Sequence, residues 1–444
     1  MVENSSVLKT ISFSNLIKWN VSELVSNQIF GKYKNSPLSK YLVRSKNAIE
    51  IKDDVLYKQI TIHQYGEGVS LRCEKYGKEI GTKRQFVAKK GQFIISRIDA
   101  RNGSFGIVSD FLDGAVVTND FWLFDIKNAD PQFLMLLLSS QKINSFWQAK
   151  SNGTTNRQRV DFEDFIKSSL PIPPLEEQRL LIQKFQERIT QAEQFYKNAD
   201  ALNDSINSYF DSQLGILEIS QIIKNGLNFI NFSNLELWGV EKNQNKKIIR
   251  NKKYSTVKLE TLCMVGSGGT PDRSNDSYYK DGNIPWVKTT EVVDEYISDT
   301  EEKITQKGLE NSSAKLYEKG SLIIAMYGQG KTRGRTAKLN IAASTNQACA
   351  VLYDINNNLV LTDYLWFYFQ NEYDRIRDLA YGNNQPNLNA GMIKEYPIVL
   401  PPLEVQIEMV AHINQIKSQV KEFRSKAAEL RVSAKNDFER TIFE

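Results

Sequence analysis

The chain has 444 residues, 57 lysines and arginines against 52 aspartates and glutamates, a formal net charge of +5 and 41% hydrophobic residues. That length exceeds one ordinary domain, the apolar content excludes wholesale disorder, and the mild basic excess is compatible with nucleic acid without demonstrating it. Three scattered cysteines (Cys73, Cys263, Cys349) and two histidines (His63, His412) indicate neither a disulfide framework nor a metal centre nor a Ser-His-Asp arrangement.

Taken in chain order, the first element is a phrase that returns. "ISFSNLIKWNV" at Ile11 reappears as "INFSNLELWGV" at Ile230. Next come strand patterns: "KKGQFIIS" at Lys89 answers "EKGSLIIA" at Glu318, and "TNDFWLFDI" at Thr118 answers "TNQACAVLYDI" at Thr345. A helical pattern follows in both halves, with Asp130 or Thr362 as the expected N-cap and Pro131 at the first helical position of the earlier one. Polar loops come next, "SNGTTNRQR" and "YGNNQPNLN", and then "LPIPPLEEQ" or "IVLPPLEVQ". The order is kept while the spacing drifts, which is the signature of a tandem duplication with loop insertions.

After each Pro-Pro-Leu the apolar residues step by three and four. Ile182, Phe185, Ile189, Ala192 and Tyr196 form one seam; Ile413, Ile416, Val420, Phe423 and Leu430 form the other. Prolines at the start and Glu176, Glu177 and Glu404 in the first turn suit a helix N-terminus. Each helix is expected to run about 40 residues, about 60 Å at ~1.5 Å per residue. Two helices of matched length and seam are expected to pair with each other as an antiparallel coiled coil, the alternative being that each packs on its own domain. The fold class is therefore mixed α/β (α+β): two globular domains separated by a long two-helix coiled coil, related by a pseudo-twofold axis. The expected boundaries are 1–172 and 217–400 for the globular domains, and 173–216 and 401–444 for the helical regions.

Catalytic signals are weak. "AMYGQGKT" has Ala325 where a phosphate-binding loop needs glycine, and "RGRTAKLN" follows where a helix should begin. Pro271-Asp272 with "EEK" ending at Lys303 matches a nuclease-like pattern that arises easily in a chain with 52 acidic residues, and no Asn-Pro-Pro-aromatic motif occurs. No catalytic residue is assigned. What remains is one basic and amide-rich loop set in each half. The first holds Arg97, Arg101, Asn102, Thr154, Thr155, Asn156, Arg157 and Arg159. The second holds Thr270, Arg273, Lys288, Thr289, Thr290, Lys331, Thr332, Arg333, Arg335, Asn383, Asn384 and Gln385. These are the side-chain types that read base edges and phosphates.

The order of globular unit, Pro-Pro-Leu-Glu-x-Gln helix, globular unit and second such helix resembles the specificity subunit of type I restriction-modification enzymes. "FIISRIDARNGSFGIV" and "GAVVTNDF" in the first half, and "GSGGTP", "IPWVKTTEV" and "LIIAMYGQGKT" in the second, strengthen the resemblance, which covers essentially the whole chain. It implies two target recognition domains, each reading half of a split site in double-stranded DNA, and helices that fix the unread spacer and dock two methyltransferase subunits. Restriction subunits would join the complex. It also implies no cofactor in this chain, S-adenosylmethionine, ATP and Mg2+ being bound by partners. With no membrane-spanning pattern or signal peptide, the expected location is the prokaryotic cytoplasm. A coiled-coil scaffold without DNA specificity is the alternative.

Overall fold

The computed structural model describes residues 29, 31–64, 66–98, 100–150, 161–219, 248–251, 253–328, 330–380 and 387–444. The repeated phrases at Ile11 and Ile230 lie outside the described residues. The chain divides into two compact units, Met1–Tyr196 with Arg424–Glu444, and Lys197–Phe423.

The strands of the first unit are β1 (Asn35–Pro37), β2 (Leu42–Ser45), β3 (Ala48–Glu50), β4 (Leu56–Ile62), β5 (Val69–Tyr76), β6 (Arg84–Val87), β7 (Phe93–Ser96), β8 (Phe105–Ile107), β9 (Val116–Val117), β10 (Phe121–Ile126) and β11 (Ser169–Pro171). Its helices are α1 (Pro131–Ser139), α2 (Gln141–Lys150), α3 (Phe162–Lys167) and the start of α4 (Leu175–Leu214). One antiparallel sheet has the order β2-β10-β7-β8, and a second has the order β3-β6-β9-β4-β5. The run Phe93-Ile94-Ile95-Ser96 is buried throughout. Its alternation explains this: Phe93 and Ile95 enter the cluster with the helices, while Ile94 packs with Val108 and with Ile60 and Val117 of the second sheet. A continuous apolar strand is what a sheet covered on both faces requires.

The second unit repeats this plan. Its strands are β12 (Ile216–Ile219), β13 (Ile248–Asn251), β14 (Thr256–Lys258), β15 (Met264–Ser267), β16 (Ile284–Val287), β17 (Tyr296–Ile297), β18 (Glu302–Ile304), β19 (Leu322–Ala325), β20 (Thr336–Leu339), β21 (Ser344–Thr345), β22 (Cys349–Tyr353) and β23 (Pro397–Val399). Its helices are α5 (Gln306–Glu310), α6 (Thr362–Asn371), α7 (Tyr373–Asp378), α8 (Ala390–Lys394) and the start of α9 (Leu403–Phe443). The main sheet runs β15-β22-β19-β20-β17, so its first four strands match β2-β10-β7-β8 in order and direction. A short antiparallel pair precedes each main sheet and closes it near the Pro-Pro-Leu element: β1 with β11, and β14 with β23. Leu322 and Ile324 face the helices while Ile323 and Ala325 face the other layer, repeating the alternation of β7.

Helix starts follow local chemistry. Asp130 caps α1, accepting from the N–H groups of Gln132 and Phe133, with Pro131 inside the first turn. Thr362 departs from expectation. It is the first helical residue of α6, the cap position belongs to Leu361, and the Thr362 hydroxyl bonds Asn357 instead. The Leu361 N–H is taken by the side chain of Gln406, as the Asp130 N–H is by Gln178, so Leu361 occupies the place that Asp130 holds in the first unit.

The long helices pair within each unit. In the first, Ile182 of α4 joins Phe438, Ile442 and Phe443 of α9 in the core, and Arg188 forms an ion pair with Asp437. Arg431 lies over the Tyr196 ring at 4.9 Å. In the second, Ala199, Leu202 and Ile206 meet Ile416, Val420 and Phe423, and the Tyr209 ring lies 4.2 Å from His412. In both units rising numbers on α4 meet falling numbers on α9, so the helices are antiparallel. Ala192 is fully buried, and Phe185, Ile189 and Leu430 are half-buried, as a seam requires. No described helix is long and apolar enough to cross a membrane.

The glycines of "GSGGTP" serve close approach. A Cβ on Gly268 would lie 2.2 Å from the carbonyl oxygens of Thr345 and Asn346, and one on Gly269 would lie 2.2 Å from the Ala314 nitrogen. The loop rests directly on backbone, and the Gly269 carbonyl in turn accepts from the buried Trp286 indole at 3.0 Å.

Candidate nucleic-acid interface

In the first unit Arg97 follows β7 directly. Its Cζ lies 5.5 Å from the Trp122 ring centroid, and its Nε is buried without a hydrogen-bond partner. Arg101 and Asn102 fall in the short turn Ala100–Asn102, where Asn102 is half-buried. Thr154, Thr155, Asn156, Arg157 and Arg159 lie outside the described residues.

In the second unit the expected residues fall into two groups. Arg273 lies over Tyr279 at 4.7 Å and Trp286 at 4.8 Å, and reaches Glu302 at 2.5 Å. Lys288 shares Glu302 at 3.1 Å and also bonds Glu301 at 2.7 Å. Arg273 first, and then Lys288, hold the Glu302 carboxyl below its ordinary range. Thr270 donates to Gln347, and Thr289 and Thr290 sit in a turn closed by Glu291, whose carboxylate accepts from the Lys288 N–H. The second group gathers at the β19–β20 loop. The Lys331 carbonyl accepts from the Tyr373 hydroxyl at 2.7 Å, the Thr332 carbonyl from the Arg335 N–H, and the Arg333 carbonyl from Arg377. Arg335 lies 3.7 Å from Asp294. Asn383, Asn384 and Gln385 lie outside the described residues.

This geometry decides what the Gly-Lys-Thr phrase can do. The chain passes from Lys331 into β20, antiparallel to β19, and not into a helix. The helix N-terminus that would cradle a phosphate is therefore replaced by a hairpin turn, with Gly328, Gly330 and Gly334 at positive φ. The carboxylate pattern near Pro271 is also occupied. Asp272 accepts from the N–H and hydroxyl of Ser274, and Glu302 is held by two cations. Among the described residues no acidic or thiol cluster could hold a metal ion.

Two features escaped sequence reasoning. Gln178 and Gln406, the last residue of each Pro-Pro-Leu-Glu-x-Gln element, are both completely buried. Gln178 accepts from the Asp130 N–H at 2.8 Å and donates to the Pro173 carbonyl at 2.8 Å. Gln406 accepts from the Leu361 N–H at 2.8 Å and donates to the carbonyls of Leu359 at 3.0 Å and Pro401 at 2.8 Å. The element is a clamped joint between the long helix and the start of α1 in the first unit or α6 in the second. The repetition of the glutamine was the available signal. The second feature is Arg44 on β2, 4.7 Å from the Phe162 ring and 5.8 Å from the Trp122 ring. Nothing in its local sequence marks it.

Residues 39–201 and 251–429, more than half of the chain, match the family model described as the type I restriction modification DNA specificity domain. Among curated relatives, the chain is 26% identical over 160 residues to the MjaIX specificity subunit of Methanocaldococcus jannaschii, covering 35% of this chain and 36% of that one. It is 24% identical over 391 residues to the HindI specificity subunit of Haemophilus influenzae, covering 76% of this chain and 82% of the relative. A solved chain from work on complex assembly and conformational transition of the type I R-M system shares the fold, with a TM-score of 0.59 at 18% identity over 92% of this chain and 96% of that one.

Proposed function

The chain belongs to the type I restriction-modification DNA specificity family, and from that premise we propose that its two units each read one half of a split, asymmetric site in double-stranded DNA. It acts as the specificity subunit, non-catalytic by itself, and lends sequence choice to methyltransferase and restriction subunits. Two methyltransferase subunits dock on the helical regions, S-adenosylmethionine, ATP and Mg2+ belong to those partners, and the complex works in the prokaryotic cytoplasm. The observation that carries the reading is the internal one: two units whose main sheets share the order of four strands and whose loop chemistry differs. A shared four-strand framework supplies two reading heads, and divergent side chains let the heads read different bases. A scaffold would have no need of such divergence.

Mapping methylated adenines in cells expressing the system yields a single bipartite motif. Purified complex binds a duplex carrying that motif in preference to a scrambled one, with a strong salt dependence. Binding indifferent to sequence refutes the proposal and leaves the scaffold reading. The helices set the unread spacer: adding matched turns to α4 and α9 changes spacer length and preserves both half-sites. A spacer that stays the same in such a variant removes the ruler.

A further inference from the structure

We infer that Arg44 and Arg97 together clamp one backbone phosphate of duplex DNA in the first unit. The inference rests on the DNA-reading function proposed above and assigns one of its contacts.

The register places both side chains on one face. Arg44 stands opposite Phe124 across the β2–β10 ladder, and Trp122 stands opposite Ile95 across β10–β7, with Arg97 two residues beyond Ile95. Both guanidiniums approach the same indole, Arg44 at 5.8 Å and Arg97 at 5.5 Å. Stacking on an aromatic face fixes a planar guanidinium and leaves its edge donors available to an anion. Both residues are half-buried, and neither has an acidic partner among the described residues. The Arg97 Nε is buried and unbonded, an open donor that requires an explanation. Burial first, and then the neighbouring Arg97 charge, disfavour the charged form of Arg44.

A comparison within the molecule sets this pair apart. In the second unit the corresponding register positions hold Val265, Ala350 and Met326, all members of its apolar core. The first unit has thus set arginines where the shared fold accepts buried aliphatic groups, at a cost that packing alone does not offset. Elsewhere in the fold Lys417 lies over Trp366 and Phe367 and bonds Gln370, while several other basic side chains meet carboxylates: Arg273 with Glu302, Lys288 with Glu301 and Glu302, and Lys338 with Asp363. Two adjacent guanidiniums without one form a binding site for a single multidentate anion. Set beside Trp122, they are placed to fix the register of the backbone, the usual task of phosphate contacts.

The test uses the full chain in complex with its methyltransferase subunits, with fluorescent duplexes carrying the mapped site or a scrambled one, titrated from about 50 to about 200 mM KCl. Arg44→Gln and Arg97→Gln each weaken binding to both duplexes by the same factor and reduce the slope of log K against log salt by about 0.9; the double variant loses no more slope than either single one, because one phosphate is shared. Arg44→Lys and Arg97→Lys keep the slope and lose affinity equally on both duplexes, and they decide the matter if the glutamine variants do not fold. Slopes and affinities equal to wild type, with wild-type selectivity intact, overturn the clamp alone. A changed sequence preference also overturns it, in favour of base reading. A wild-type complex that does not discriminate the two duplexes overturns the clamp together with the proposed function.

Discussion

Gln406→Leu lowers the stability of the Lys197–Phe423 unit by about 3 kcal/mol or more, while Gln178→Leu lowers that of the first unit by about 2 kcal/mol. Leucine nearly conserves the volume, so packing around the completely buried side chain stays close to native. What is lost is hydrogen bonding to backbone, buried at the Pro173 and Pro401 carbonyls and part-buried at Asp130, Leu359 and Leu361. Without Gln406 the Leu361 N–H and the carbonyls of Leu359 and Pro401 lose their side-chain partner. Each backbone group stranded away from water costs about 1–3 kcal/mol, against a net gain of only about 1 kcal/mol for an ordinary bond. Gln178 serves two such groups, the Asp130 N–H and the Pro173 carbonyl, hence the smaller loss. Urea unfolding of the full chain, followed by circular dichroism, reads both effects. A loss below about 0.5 kcal/mol for Gln406→Leu would show that the joint draws its strength from packing.

Those glutamines mark how far the sequence could be read. Repetition was legible because duplication preserves phrases: "GQFIIS" and "GSLIIA" do become equivalent central strands, β7 and β19, with the same alternation between two core layers. Seam spacing was legible because a helix imposes its period on buried residues, and α4 and α9 span 40 and 41 residues. Pairings across long separations were not legible. Arg273 and Glu302 are distant in sequence, and no local rule says that a carboxylate will hold a residue whose type alone suggests DNA contact. Arg44 failed for the same reason, since its meaning comes from Trp122 on the neighbouring strand and Arg97 just beyond β7. Thr362 has the composition of a cap, but the helix begins on it and Leu361 holds the cap position, so the local signal misplaced the start by one residue. The strands between Ala48 and Tyr76 rest on short, half-buried patterns such as "LYKQITI", where a weak alternation does not stand out.

Exchanging residues 1–170 for the corresponding domain of another family member changes one half of the recognised site and leaves the other half intact. The basis is closure of each core. Phe93, Ile95, Trp122 and Phe124 pack with α1 to α3, whereas Leu322, Ile324, Ala350 and Leu352 pack with α6 to α8. Loops carried by one framework are therefore positioned without reference to the other sequence. The seam of the exchange is the vulnerable point, because Leu170 shares its cluster with Ile182 of α4 and with Phe438 and Ile442 of α9. A chimera cut at 170 brings a foreign surface against those side chains, and mismatches of a methylene or two there cost about 1–3 kcal/mol. A second chimera that also carries the donor's counterparts of 175–196 and 424–444 restores the native contacts. It melts at a higher temperature than the first and methylates the same hybrid motif. Adenine-methylation mapping of both chimeras reads the outcome directly. If both half-sites change, or neither does, recognition is not divided between the two units as their separate cores require.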